Sequence, residues 1–205
     1  MSTVQEVLER SRALGFLGPG PIDAHIVHAR GFAAAAGSQP VSFVDLGSGG
    51  GVPGLVLAEL WPRAHAVLLD SMERRTSFLS EVVGELGWGG RVTVVRERAE
   101  VFGRAPERRA AFDLVVARGF GPPSVTAECA APLLRLGGRL VVSEPPEDDP
   151  GRWPAGPLSE LGLRSLGLVE DGARFQVLEQ VECCSDAYPR RVGLPAKRPL
   201  WLCST

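Results

Sequence analysis

The chain has few of the residues that build metal sites and disulfides. Its 205 residues include three histidines and four cysteines, at Cys129, Cys183, Cys184 and Cys203. The cysteines form no C-x-x-C pair, so their spacing is not that of a zinc site. His25 and His28 lie one helical turn apart, but no H-E-x-x-H pattern is present. We therefore expect reduced thiols and no metal site.

Long apolar runs and an excess of basic residues are also missing. No apolar stretch reaches the roughly 20 residues of a membrane helix, and the N-terminus lacks the regions of a signal peptide. The 22 basic and 24 acidic residues give a net charge of −2, and Lys197 is the only lysine. This balance argues against binding nucleic acid over the whole surface, although it allows a local patch. We expect a cytoplasmic monomer that binds neither DNA nor membranes.

Glycine, by contrast, is concentrated in one short segment. Residues 41–57 read VSFVDLGSGGGVPGLVL, an apolar strand followed by small residues and an apolar helix that begins near Pro53. Glycines allow a sharp turn and let backbone N–H groups approach a ligand, while the helix N-terminus attracts an anion. The segment therefore predicts a turn that binds a nucleotide-like cofactor.

Two cofactor classes fit this turn. Gly49, Gly51 and Gly54 match G-x-G-x-x-G, the fingerprint of dinucleotide sites. In the other frame, Asp45, Gly47, Gly49 and Gly51 form D-x-G-x-G-x-G, which resembles the first motif of S-adenosylmethionine-dependent methyltransferases, where the acid lies near the cofactor's ammonium and sulfonium. Asp45 would repel a pyrophosphate, so electrostatics favour S-adenosylmethionine over a nicotinamide or flavin nucleotide. A purely structural turn is a third interpretation.

A second acid is placed to bind the sugar of such a cofactor. The next apolar strand, predicted over residues 64–69, is followed by Asp70. An acid about 20 residues beyond the glycines accepts hydrogen bonds from a ribose diol in these folds. The alternative is that Asp70 stabilises the N-terminus of the helix that follows it.

Strands and helices alternate along the chain. Apolar patterns predict strands near 41–46, 64–69, 91–95, 112–117 and 138–143, with helices near 53–61, 72–86 and 123–135. Two further strands near 164–169 and 173–181 flank the hairpin signal Asp171-Gly172. The predicted fold is α/β, a doubly wound, mostly parallel seven-stranded sheet with a C-terminal antiparallel hairpin, which is the Rossmann-like methyltransferase fold.

We divide the chain into three parts. Residues 1–37 are predicted to form an N-terminal helical cap, residues 38–182 the domain that binds S-adenosylmethionine, and residues 183–205 a basic, Pro-rich tail. Residues 144–157 are acidic and Pro-rich, which predicts a loop.

Five segments carry a more specific resemblance. They are DLGSGGGVPG (45–54), LDSMERR (69–75), RAE (98–100), VAR (116–118) and the tail YPRRVGLPAKRPL (188–200). Each resembles a segment of the bacterial 16S rRNA guanine-N7 methyltransferases, known as RsmG or GidB. The tail is the most specific piece, because a generic methyltransferase has no reason to carry it.

This resemblance implies S-adenosylmethionine as the cofactor and a guanine of small-subunit ribosomal RNA as the substrate. It implies cofactor contacts at Gly47, Val52, Ala99, Glu100 and Arg118. The predicted cofactor site further includes Asp45, Ser48, Gly49, Gly51 and Asp70. Guanine N7 carries a lone pair and no proton at neutral pH, so its methylation needs no general base. Arg118, the candidate catalytic residue, would hold a guanine edge or a phosphate, or it would close the strand-four loop by a salt bridge.

Basic residues near the cofactor motifs and in the tail are candidate RNA contacts. They are Arg74, Arg75, Arg190, Arg191, Lys197 and Arg198. Each pairing with a phosphate would add salt-dependent affinity, although a merely solvated tail would have the same composition.

Two departures from the family pattern favour other functions. Glu144 occupies the position where the family usually carries a lysine after strand five, and its charge would repel phosphate. The N-terminal region is short and keeps only His25 of the usual motif, with His28 where an acid or amide stands. A methyltransferase acting on a small molecule is therefore the main alternative. A non-catalytic relative that binds RNA or a partner is the third hypothesis.

Overall fold

A seven-stranded sheet forms the centre of the computed structural model, which describes residues 2–147, 149 and 151–202. Its strands are β1 (Ser42–Leu46), β2 (His65–Asp70), β3 (Val92–Arg96), β4 (Phe112–Ala117), β5 (Leu134–Glu144), β6 (Leu163–Glu170) and β7 (Arg174–Gln180). They lie in the order β3-β2-β1-β4-β5-β7-β6. β1 to β5 are parallel, and β7 is antiparallel to both β5 and β6. The predicted parallel sheet with its C-terminal hairpin is confirmed.

The strand order creates a crevice at the C-terminal ends of the central strands. The chain moves outward from β1 through β2 to β3 and then returns to the other side of β1, where β4 pairs with it. In a doubly wound sheet, ligands bind at such a switch point, beyond the C-terminal ends of the strands. The glycine turn follows β1, and Arg118 follows β4. Both motifs therefore lie at the strand ends where a ligand is expected.

Helices cover the two faces of the sheet. They are α1 (Val4–Ala13), α2 (Ile22–Ala36), α3 (Gly54–Leu60), α4 (Glu73–Glu85), α5 (Ala99–Phe102), α6 (Pro123–Ala130), α7 (Ala155–Glu160) and α8 (Leu194–Lys197). One buried cluster includes Leu8, Phe32 and Leu55, and the cluster on the other face includes Phe102 and Leu133. Because α1 and α2 contribute to the first cluster, they belong to the core of the protein.

The N-terminal helix is joined to both α4 and the glycine turn. Arg10 donates to Glu81 and Glu85 of α4, at 2.6 Å in each case. The buried Ser11 hydroxyl donates to the Gly50 carbonyl oxygen at 2.8 Å. Helix α1 thereby supports the turn at Gly50.

Several boundaries differ from the sequence prediction. β5 begins at Leu134 rather than near residue 138, and Pro53 precedes α3 instead of lying in its first turn. The predicted loop contains the start of α7, while α5 and α8 are too short to give a helical pattern in the sequence. Cys203 and the last two residues of the predicted tail lie outside the described residues.

Neither a membrane-spanning helix nor a metal-binding cluster occurs in the described part of the chain. None of its helices has both the length and the apolar character that crossing a membrane requires. The same residues include no group of three or more His, Cys, Asp or Glu side chains that could hold a metal ion.

Candidate active site

The glycine turn is fixed by the end of the neighbouring strand. The Gly47 and Ser48 N–H groups both donate to the Leu69 carbonyl oxygen of β2, at 2.9 Å in each case. The Gly49 N–H donates to Asp70 Oδ2, also at 2.9 Å. Because these three backbone donors have partners within the protein, the turn is held in place without a ligand.

Several glycines of the turn, Gly47 and Gly50 among them, lie where a side chain would not fit. Gly47 has a φ of +77°, and a Cβ atom on it would lie 2.7 Å from Phe120 Cδ2. A Cβ atom on Gly50 would lie 2.5 Å from the Ser11 hydroxyl and 2.8 Å from the Phe16 carbonyl oxygen. Glycine at these positions therefore allows the segment after β4 and the N-terminal region to pack against the turn.

Asp70 ends β2 and lines the cavity beside the turn. Its Oδ2 accepts the Gly49 N–H, and its Oδ1 accepts the Met72 N–H at 2.8 Å. Arg75 Nη1 lies 3.6 Å from Oδ2. Asp70 thus supports the start of α4 and also lies in the cavity wall, so the two interpretations of this residue are compatible. Its contact with a ribose stays a prediction.

A cavity of about 320 Å³ lies at the C-terminal ends of the first four strands. Binding sites for small molecules have volumes of roughly 300–1,000 Å³. Four of the predicted cofactor residues line this cavity, namely Gly47, Asp70, Ala99 and Glu100. Its wall also contains Phe120 after β4, Cys129 of α6 and Ala196 of α8. The C-terminal tail therefore contributes directly to the site.

A second cavity adjoins the first. The two share Gly47, Arg75 and Gly119 in their walls. The second wall also contains four further predicted cofactor residues, Ser48, Gly49, Val52 and Arg118, and it is completed by His25 and residues 16–18. This arrangement suits a reaction between two bound molecules, one in each cavity.

His25 holds the Arg118 side chain at the second cavity. Arg118 Nη2 lies 2.9 Å from His25 Nδ1, and His25 Nε2 lies 3.2 Å from the Gly18 carbonyl oxygen. Because arginine only donates, Nδ1 is the acceptor and the neutral ring carries its hydrogen on Nε2. Burial lowers the pKa of Arg118 and the nearby Asp45 charge opposes that effect. Arg118 forms no salt bridge with any of the described residues.

Asp45 lies beneath the turn and lines neither cavity. Its residue surface is 1% exposed, and its Oδ2 accepts the Gly54 N–H at 2.8 Å. Its Oδ1 is buried and has no hydrogen-bond partner among the described residues. Burial raises the pKa of Asp45 to about 7, although the hydrogen bond from Gly54 opposes this shift. Ionisation of Asp45 is therefore sensitive to any cation placed near the turn.

The raised pKa of Asp45 predicts a pH-dependent affinity for a cationic ligand. A cation near the carboxyl group favours its ionised form, so binding lowers the pKa and releases a proton below about pH 7. The affinity for S-adenosylhomocysteine should therefore rise between about pH 5.5 and 7, by at most about tenfold per pH unit. Asp45→Asn should lose this rise. Calorimetry in buffers of different ionisation enthalpy measures the proton release, and equal pH slopes for the two proteins would contradict the prediction.

Glu100 lies in the cavity wall and also binds the tail. Its Oε1 accepts the Gly193 N–H at 2.9 Å and Arg98 Nη2 at 3.1 Å. Burial alone would raise the pKa of Glu100, but these hydrogen bonds lower it below its usual value. Glu100 is therefore ionised at neutral pH. Its contact with a cofactor stays a prediction.

Arg190 has a partner within the protein. Its backbone N–H and its Nε each donate to Glu128 Oε1 at 2.8 Å, and its Nη2 donates to Oε2 at 2.6 Å. The Glu128 side chain is fully buried. The Arg190 guanidinium, which the sequence assigned to RNA, is thus paired with Glu128 of α6.

The other predicted RNA contacts differ in their surroundings. Arg75 lies near Asp70, and the Arg74 guanidinium lies 5.8 Å from the centre of the Phe16 ring. The remaining three are the exposed tail residues Arg191, Lys197 and Arg198. Their side chains form no hydrogen bond or ion pair with the described residues. They remain available to a polyanion.

The structure does not support the predicted repulsion of phosphate by Glu144. The Glu144 side chain is 5% exposed, and Arg152 Nε lies 2.5 Å from its Oε2. Burial raises the pKa of Glu144, and Arg152 opposes that shift. Because the carboxylate is buried against an arginine, it presents little charge to an approaching phosphate.

Sequence patterns missed two contributors to the site. His25 was recognised as part of a motif, but nothing in the spacing indicated that it binds Arg118 across the fold. Ala196 was also missed, because a small apolar residue in a basic tail carries no signal of a cavity wall. Half-buried His28 has a role of another kind, since its ring packs against Phe32 and Phe175. Burial lowers the pKa of His28 to about 4, with a further lowering by Arg118.

Two solved methyltransferase structures share this fold. A SAM-dependent methyltransferase from Aquifex aeolicus superimposes with a TM-score of 0.60 at 16% identity, covering 85% of this chain and 98% of that one. TrmN from Thermus thermophilus gives a TM-score of 0.57 at 19% identity, covering 85% of this chain and 52% of that one. The chain therefore has the Rossmann-like methyltransferase fold.

Sequence comparison identifies the family. The profile described as GidB, rRNA small subunit methyltransferase G, matches residues 23–144. Ribosomal RNA small subunit methyltransferase G of Thermotoga sp. (strain RQ2) is 40% identical over 167 residues, which span 78% of this chain and 72% of the relative. The protein of that name from Roseiflexus castenholzii is 36% identical over 183 residues, spanning 86% and 78%. The chain belongs to the rRNA small subunit methyltransferase G family, and it is a methyltransferase.

Proposed function

We propose that this enzyme uses S-adenosylmethionine to methylate guanine N7 in small-subunit ribosomal RNA. The observation that carries the proposal is the meeting of two cavities at Gly47 and Gly119, with Arg118 in the wall of the second. Membership of the methyltransferase G family supports ribosomal RNA as the substrate. The proposal includes a cytoplasmic, monomeric enzyme that binds neither DNA nor membranes.

The residues present fit S-adenosylmethionine. Asp45 has a buried oxygen without a partner among the described residues, which favours a cation near the turn. Asp70 and Glu100 line the first cavity as carboxylates, suited to accept hydrogen bonds from a sugar and from an adenine amino group. When bound, the cofactor supplies an electrophilic methyl group on a sulfonium.

Arg118 and the turn would orient the guanine. N7 of guanine is nucleophilic at neutral pH, so the enzyme has to position it and exclude water rather than remove a proton. Held by His25, the Arg118 guanidinium is placed to donate to the guanine O6 edge or to a phosphate, leaving the N7 lone pair free. Because the transferred methyl group brings positive charge to the guanine ring, this donor would act by positioning N7 rather than by stabilising charge.

The exposed cations of the tail form the proposed RNA surface with Arg74 and Arg75. Replacing Arg191, Lys197 and Arg198 with alanine should weaken RNA binding and reduce the salt slope by about 0.7–0.9 for each phosphate that is no longer neutralised. Affinity for S-adenosylhomocysteine should stay within about twofold, because these side chains do not line the cavity. Filter binding over a salt series measures the slope. An unchanged slope would show that RNA does not contact the tail.

A transfer assay distinguishes the candidate substrates. Tritiated S-adenosylmethionine is supplied with undermethylated small subunits, bare small-subunit RNA or a metabolite extract. We expect label in the ribosomal RNA of one of the first two samples. Label only in the extract would favour the small-molecule alternative, and binding of RNA without any transfer would favour a non-catalytic relative.

A further inference from the structure

The C-terminal tail forms part of the cofactor cavity although it has little structure of its own. Ala196 of α8 lines the cavity together with Val125 and Cys129 of α6. Helix α8 contains only four residues, so it is not stable in isolation. The position of this wall must therefore depend on how the rest of the tail is attached.

Two buried carboxylates attach the tail just before α8. Glu128 of α6 is 0% exposed and accepts three hydrogen bonds from Arg190. Glu100 is 4% exposed and accepts the Gly193 N–H. Charge-assisted and bidentate bonds of this kind are strong and directional. They bind the tail to two elements that themselves line the cavity.

Arginines of the main domain hold the preceding residues. Arg104 Nε donates to the Pro189 carbonyl oxygen at 2.7 Å. Arg109 donates to the Tyr188 carbonyl oxygen at 2.7 Å and to the Cys184 carbonyl oxygen at 3.0 Å. The tail is thus attached by side chains that bind its backbone and by apolar packing of Tyr188, Leu200 and Trp201, with no strand pairing to the sheet among the described residues.

We propose that Glu128 and Arg190 are positioning residues of the cofactor site, which hold α8 as its wall without touching the cofactor. Neither residue lines the cavity. The inference rests on the proposed function, because it takes the first cavity as the site of S-adenosylmethionine. It divides the basic residues of the tail into two groups, with Arg190 directed to the protein and three exposed cations available to RNA.

Glu128→Gln tests this role with the least disturbance. The amide places a donor where Oε2 accepts Arg190 Nη2, so that hydrogen bond and the ion pair are lost, while the amide oxygen can still accept the two bonds made to Oε1. Arg190→Ala is less suitable, because it would leave a buried carboxylate without a partner. We expect the Kd for S-adenosylhomocysteine and the KM for S-adenosylmethionine to rise about tenfold. The kcat at saturating cofactor should stay within about twofold, since the reacting groups are unchanged.

Hydrogen exchange gives a readout that a merely structural role would not affect. In the parent, S-adenosylhomocysteine should slow exchange of the Gly193 amide, because ligand binding and wall position are linked. This protection should shrink in Glu128→Gln. Asp113→Asn is the matched control, because Asp113 pairs with Arg135 and binds two backbone N–H groups at the N-terminal ends of β1 and β4, away from the site. It should keep the parent's affinity for the ligand.

Arg109→Gln is the second test variant if Glu128→Gln does not fold. It removes hydrogen bonds to the Tyr188 and Cys184 carbonyl oxygens, which hold the same tail segment. The variant lacking the three exposed cations should show the opposite pattern, with weaker RNA binding and normal cofactor affinity. If the folded Glu128 and Arg109 variants bind S-adenosylhomocysteine with the same Kd as the parent, and the parent itself methylates RNA, only this inference is overturned. A parent that fails to bind S-adenosylhomocysteine would overturn the proposed function as well.

Discussion

Replacing Arg118 with alanine should lower kcat about a hundredfold, as expected when the group that positions the nucleophile is lost. The affinity for RNA should change little, because many phosphate contacts elsewhere contribute to it. Single-turnover methyl transfer with saturating RNA and cofactor measures the rate, and filter binding measures the RNA affinity. Loss of RNA affinity with an unchanged rate would show that Arg118 is a binding residue only.

Two further variants separate the position of Arg118 from its charge. Arg118→Lys keeps the charge but loses the planar fork, so its rate should lie between those of the parent and the alanine variant. His25→Phe removes the acceptor that holds Nη2, whereas His25→Asn offers an amide oxygen close to the place of Nδ1. We expect a slower rate in the phenylalanine variant and partial rescue in the asparagine variant. Rates equal to that of the parent in both His25 variants would exclude a positioning role for His25.

Gly49→Val should reduce cofactor affinity by about a hundredfold or more while the protein still folds. A Cβ atom on Gly49 meets nothing closer than the Gly47 carbonyl oxygen at 3.7 Å, so the unliganded fold has room for a side chain. Gly49 lines the second cavity, and its N–H donates to Asp70 in the wall of the first cavity. A branched side chain on Gly49 would therefore disturb the turn and the Asp70 carboxylate beside the cofactor. Its φ of +52° adds about 1–2 kcal/mol of strain. Calorimetric titration with S-adenosylhomocysteine measures the loss.

Gly137→Val controls for the strain alone. Gly137 has a φ of +75° with nothing within 4 Å of an added Cβ atom, and it lies near the start of β5, away from the site. It should lower the free energy of unfolding by a similar amount, about 1–2 kcal/mol, without affecting cofactor affinity. Parental affinity in Gly49→Val, or an equal loss of affinity in Gly137→Val, would contradict the placement of the cofactor.

The central part of the fold was predictable because its signals are local. Alternating apolar strands and helices specify a parallel sheet, and the run from Asp45 to Gly54 specifies a turn after its first strand. The Asp-Gly pair between the last two strands specified the hairpin. Each of these features needs only a short window of sequence, so its prediction did not depend on knowing which distant residues meet.

The partners of charged residues were not predictable in the same way. Arg190 and Glu144 both looked exposed in the sequence, yet the fold brings Glu128 to the first and Arg152 to the second. Charge by itself does not show whether a side chain faces water, since that depends on where the tail and the loop after β5 pack. The same limit hid the contact between His25 and Arg118, which are far apart in the chain.

The most direct test is the identity of the methylated nucleoside. Small-subunit RNA is labelled from S-adenosylmethionine, digested to nucleosides and analysed by mass spectrometry. The parent should produce N7-methylguanosine at close to one per RNA molecule, and Arg118→Ala should produce far less in the same time. A methyl group on any other nucleoside, or an unlabelled RNA in every assembly state, would contradict guanine-N7 methylation.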